Sequence, residues 1–159
     1  MIKKLLIGLL VILVISQFIR PSLNKGQAHG PDNITSVVKV PDSIHSILQT
    51  ACYDCHSNNT SYPWYSRITP VNWWLNNHID EGKKHLNFSI YAKYNFKQKE
   101  HKLEEIGETV AHHEMPIESY LLIHHEARLT REQRRAIIDW AQLARQEVMT
   151  DSLKARLKQ

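Results

Sequence analysis

The sequence predicts an all-α protein: one helical domain behind an apolar N-terminal helix. Three observations carry this. Leu5 to Ile19 (LLIGLLVILVISQFI) is a fifteen-residue run in which only Ser16 and Gln17 are polar. Several later stretches place apolar residues at i, i+3, i+4 and i+7, the spacing of one helix face. No convincing run of alternating strands, internal repeat or Gly-rich phosphate loop is found.

The N-terminal segment has the form of an export signal, a short basic start (Met1 to Lys4) followed by the apolar run and closed by Arg20-Pro21. As a helix the run rises only about 22 Å, short of the roughly 30 Å hydrocarbon core of a bilayer. Lys3, Lys4 and Arg20 can snorkel to make up the difference. Residues 1–20 therefore read as a short signal-anchor, a single transmembrane helix, with a cleaved signal peptide as the alternative. Cleavage needs small residues just past the run, and Gln17 to Pro21 is poor in them; Gly26-Gln27-Ala28 fits but lies far downstream. The lysines stay cytoplasmic under the positive-inside rule. That puts the chain in the inner (cytoplasmic) membrane, with everything after Arg20 on the periplasmic side.

The remaining 139 residues suffice for one domain. The net charge of +4 comes from interspersed acids and bases without a long basic block, which argues against nucleic acid as a partner and for a solvated surface. Residues 21–40 hold Pro, Gly, Asn, Asp and Ser with little periodicity, and read as a linker lifting the domain off the membrane. The domain is expected over 41–150, with a polar tail at 151–159.

From Pro41 the pattern turns helical. Ile44, Ile47, Leu48 and Ala51 share a face, and Asp42 or Ser43 is the expected cap. Ser57 to Ser66 reads as a loop. Thr69-Pro70 suits a helix start, with Val71, Trp74, Leu75, His78 and Ile79 on one face and Gly82 ending or bending it. Asn87 to Lys97 is ambiguous. Leu103, Ile106 and Val110 support a helix ending near His113. Thr130 and Gln133 form a capping box for the last helix, whose stripe is Ile137, Trp140, Ala141, Ala144 and Val148.

The only cysteines are Cys52 and Cys55, and His56 follows directly. Cys-x-x-Cys-His is the signature of c-type haem attachment. Residues i and i+3 share one face of a helical turn, so both thiols reach the two vinyl groups of one porphyrin. The next residue then brings its imidazole under the iron. A structural disulfide competes with this outside the cytoplasm. A thioredoxin-like pair lacks its βαβ context, and a zinc site lacks a second pair at finger spacing. Opposite His56, Met115 is the leading candidate because Glu114-Met115-Pro116 sets a thioether on a stiffened loop. The adjoining His112 and His113 compete for that position, and packing of Met115 on the core is the bland reading.

Cys52 to Ser89 (CYDCHSNNTSYPWYSRITPVNWWLNNHIDEGKKHLNFS), the downstream EMPIESY of Glu114 to Tyr120 and LTREQRRAIIDWA of Leu129 to Ala141 together resemble the small bacterial haem-binding domain family. The resemblance covers roughly residues 40–148. It implies a cytochrome c-like helical domain with one covalent haem c, thioether bonds at Cys52 and Cys55, and iron held by His56 and Met115. The 58 residues between His56 and Met115 depart from ordinary small cytochromes. Within them Tyr62, Trp64, Trp73 and Trp74 are candidates to wall the porphyrin and Arg67 to pair with a propionate; the competing reading puts these aromatics in a small core.

A His/Met iron leaves no open position for substrate, so the expected work is electron transfer with membrane-bound redox partners rather than catalysis. Two alternatives remain. A peroxidase-like enzyme needs a distal base such as His112 or His113, and a haem sensor needs an exchangeable Met115.

Overall fold

We describe a computed structural model that covers residues 1–157 of the chain. These residues form α1 (Ile2–Ser16), α2 (Asp42–Ala51), α3 (Tyr53–His56), α4 (Val71–His85), α5 (Phe96–Ala111), α6 (Glu118–Leu121) and α7 (Arg131–Leu157). Tighter 3-10 turns lie at Ile34–Ser36, Trp64–Arg67, Phe88–Lys93 and His125–Ala127. Among the described residues the one β feature is an isolated antiparallel bridge between Lys25 and Asn59. The all-α expectation is met.

The framework is the α5–α7 pair. Arg145 binds Glu100 and Glu104 at one end, and Arg134 donates to the Val110 carbonyl at the other, so the helices run antiparallel. The capping box of α7 forms as expected: Gln133 N–H donates to Thr130 Oγ1 at 3.1 Å, and Thr130 N–H donates to Gln133 Oε1 at 2.9 Å. All five stripe residues of α7 are buried, against Leu103, Ile106 and Val110 of α5 and Ile44 and Leu48 of α2. Each such aliphatic side chain contributes about 1.5–3 kcal/mol on leaving water. The ambiguous stretch before α5 is a 3-10 turn that buries Phe88 and Tyr91 in the same core. A second capping box, Asn95 with Gln98, starts α5.

Several boundaries differ from the sequence-based expectation. Helix α2 begins at Asp42 with Pro41 as its cap residue, and no side chain caps it. Pro70, not Thr69, is the cap residue of α4. The Thr69 amide instead bonds Gln17, and its hydroxyl is buried without a hydrogen-bond partner among the described residues. Gly82 does not end α4, which runs on to His85. Helix α7 continues through the span expected as a polar tail; of that span, residues 158 and 159 lie outside the described residues.

The segment expected to be a linker, 21–40, packs on the domain. Ile34 and Val38 are 0% and 2% exposed and belong to the main core. Asn24, Gly26 and Ala28 hydrogen-bond the loop after α3 and the turn at Ser89. Apolar side chains at 34, 37, 38 and 40 show no regular periodicity because they pack from irregular backbone.

Helix α1 forms, with no residue buried. At fifteen residues it falls short of a bilayer's width, and no described helix is long and apolar enough to cross a membrane. The expected transmembrane span is therefore not met by α1 alone.

Candidate functional site

The helical turn α3 sorts its side chains by face. Tyr53 turns into the core, stacked on Phe88 at 5.0 Å and bonded to Asn33. Cys52, Cys55 and His56 turn the other way and line a cavity of about 420 Å3. The rest of its wall is largely apolar: Leu48 and Ala51 from α2, Leu86 and Phe88 after α4, and Ile106 and Val110 from α5. Met115, Pro116 and Ile117 line it from the loop after α5.

Helix α4 sets the geometry of His56. The Nδ1–H donates to the carbonyls of Gly82 at 3.0 Å and Leu86 at 3.1 Å. Two carbonyls can only accept, so the proton is on Nδ1 and Nε2 keeps a free lone pair. Burial pushes the imidazole pKa down, only partly opposed by those two hydrogen bonds, and His85 and Lys102 lower it further. The ring is held neutral and oriented, as a metal-binding histidine requires.

Gly82 is what lets α4 approach. A Cβ there would stand 2.8 Å from the Cys55 carbonyl oxygen and 3.2 Å from its Cβ. The glycine is a packing requirement of the Cys52–His56 turn, a signal legible only once the two segments are seen together.

Asp54 ties the motif to the opposite wall. It accepts from Tyr120 Oη at 2.9 Å and from the Ser61 amide at 2.9 Å. Burial and then the Asp54 charge push the Tyr120 phenol far above its ordinary range, so it stays protonated and donates. Tyr120 stacks on His124 at 4.1 Å, and His124 accepts from Tyr65 Oη at 2.7 Å. Tyr120 closes the EMPIESY segment and Tyr65 lies within Cys52 to Ser89, whereas His124 lies outside the segments that carry the resemblance.

The loop after α5 separates the candidates for the position opposite His56. His112 caps α5, and His113 adopts φ 62, the left-handed turn that commonly ends a helix. The Thr109 carbonyl then accepts from the amides of Glu114 and Met115 and turns the chain inward. Met115 lines the cavity and packs on the core, whereas His112 and His113 are exposed and absent from its lining. Trp64, Arg67 and Trp74 are also absent from the lining; Trp64 is 79% and Trp74 46% exposed. Besides His56, the basic residues that line the cavity are His78, His85 and Lys102.

The donor set fits a c-type haem: two thiols on one face of a turn, an imidazole with a free Nε2, and a thioether, all on one apolar cavity. Cys52 and Cys55 are free thiols, not a disulfide. Burial pushes the Cys52 thiol up to about 12, with the Cys55 charge adding to it, and the Cys55 thiol up to about 11, with the Asp54 charge adding to it. No group of three or more His, Cys, Asp or Glu side chains among the described residues is placed to hold a bare metal ion, which disfavours zinc.

No curated protein and no solved structure matches the chain. The model of the haem-binding domain family matches residues 11–143. That span contains every residue on the cavity wall, and the chain belongs to the haem-binding domain family.

Proposed function

We propose that this haem-binding protein carries one covalent haem c in a cytochrome c-like domain and works as a one-electron carrier, not as an enzyme. Cys52 and Cys55 would carry the thioether bonds, and His56 Nε2 and Met115 would hold the iron. The observation that supports this most is the pair of carbonyl bonds from Gly82 and Leu86 to His56 Nδ1, which leaves Nε2 as the only ligating atom. Haem supplies reversible one-electron exchange at iron. The chain's own residues keep His56 neutral, exclude water with Leu48, Phe88, Ile106 and Val110, and hold the attachment turn through Asp54 and Tyr120. The peroxidase-like alternative is disfavoured because its candidate bases, His112 and His113, stand outside the lining.

Helix α1 supports membrane attachment, with the domain on the extracytoplasmic side next to membrane-bound redox partners. Its apolar side chains are exposed all round, and Lys3 and Lys4 stand at its start.

The test is optical. Ferric wild-type protein is expected to be low-spin and to show the weak red absorption band of methionine-ligated iron. Met115→Ala abolishes that band while the haem survives denaturation. The Cys52→Ala, Cys55→Ala double variant loses haem on denaturation. A high-spin wild-type spectrum, or haem retained by the double variant, refutes the assignment.

A further inference from the structure

Helix α1 does not hang free of the domain. The Gln17 side chain bonds both polar groups of the Thr69 backbone: Nε2 donates to the carbonyl at 3.2 Å, and Oε1 accepts from the amide at 3.0 Å. Two residues on, the Ile19 carbonyl accepts from Trp73 Nε1 at 2.8 Å. The segment that follows is no flexible tether, since 24–40 is pinned to the loop after α3 and buried at Ile34 and Val38. The direction of α1 is thus coupled to the start of α4, the helix whose carbonyls orient His56.

Around this clamp the surface is apolar. Phe18 and Ile19 are 84% and 60% exposed, and Ile68 and Trp73, beside the clamped groups, are 44% and 40% exposed. This patch continues the surface of α1, which is apolar on every side. A protein groove covers one stripe of a helix, whereas a helix apolar all round needs an apolar medium on all sides. The apolar run from Leu5 to Ile19, Phe18 and Ile19 included, rises about 22 Å, about 8 Å short of the hydrocarbon thickness, so the collar sits where the helix end meets the interface. An indole with its N–H satisfied and its ring exposed at this level suits the bilayer interface, and Arg20 stands there for lipid phosphates.

We infer that Phe18, Ile19, Ile68 and Trp73 form a lipid-contacting collar that seats the domain directly on the bilayer, so that the haem site is held at one fixed orientation to the membrane. This rests on the membrane attachment proposed above. The test uses the full, haem-loaded chain with vesicles of phosphatidylcholine and phosphatidylglycerol. Flotation reports attachment, and electron paramagnetic resonance of the ferric haem in oriented multilayers reports orientation. Wild type is expected to float and to give a low-field signal that varies with the angle between field and membrane normal. The Gln17→Ala, Trp73→Phe double variant keeps α1 apolar and is expected to float equally while losing that angular dependence. A wild type that floats without angular dependence, or a double variant as ordered as wild type, overturns the collar and leaves attachment standing. A wild type that does not float overturns both. Saturable pairing of two chains through α1 in place of lipid uptake overturns the collar in favour of a second copy as its occupant.

Discussion

At Gly82 two physical effects have opposite signs. Alanine in a helix interior is ordinarily favoured over glycine by about 0.5–1 kcal/mol, because it has less backbone entropy to lose. Here the added Cβ meets the Cys55 carbonyl at 2.8 Å, and backbone cannot swing aside. Overpacking of this kind costs about 1–3 kcal/mol. Gly82→Ala is therefore expected to lower the thermal midpoint of the protein and to weaken the His56 contact; a midpoint equal to or above wild type would refute the close approach. The thiols make a second prediction at this scale. In the unfolded chain they titrate at about 9, while in the fold burial pushes Cys52 up to about 12 and Cys55 to about 11. Above their unfolded value the unfolded state loses these protons first, so their contribution is intact at neutral pH and lost as pH rises towards the folded values. Urea midpoints of the haem-free chain should fall more steeply between about pH 8 and pH 10 than those of the Cys52→Ala, Cys55→Ala variant.

Elements were legible where their signals are local. Helix α7 could be read almost whole, because a capping box and a five-residue stripe both lie within its own residues. Thr130→Ala removes the acceptor for the Gln133 amide and is expected to cost about 0.5–2 kcal/mol in chemical denaturation; no measurable change would refute the capping role. The box that starts α5 was equally local and was hidden by the ambiguous residues before it. The start of α4 was misleading for a different reason. Thr69 has the side chain of a cap, but a residue 52 positions earlier, Gln17, takes its backbone groups. A distant partner changed a local preference that the sequence displays clearly.

For the whole molecule, the main departure is that the chain between α1 and α2 is part of the core. A linker tolerates truncation of its apolar side chains, whereas a buried isoleucine does not. Ile34→Ala is expected to cost about 2–5 kcal/mol in chemical denaturation, and a loss within error of zero would restore the linker. The consequence reaches the cavity, because Asn24 and Ala28 hold the loop and the Ser89 turn that back the attachment motif. Domain packing, motif geometry and the base of α1 are thereby one connected body.

The sequence by itself determined the helical class, the apolar first helix and the Cys52, Cys55, His56 constellation. All three are short-range: helix period and the i, i+3 spacing act within a turn or two, so composition along the chain suffices to read them. Only the tertiary structure decided which residues face that constellation. Met115 was nominated by its loop, but its place on the cavity wall, and the exposure of His112 and His113, follow from how the end of α5 turns against the core. The parts that Gly82, Tyr120, His78 and Lys102 play at the cavity had no local mark, because each depends on a surface contributed by residues far along the chain. Trp64, Arg67 and Trp74 show the converse: residue types that suit a porphyrin wall, carried by backbone that leaves them off it.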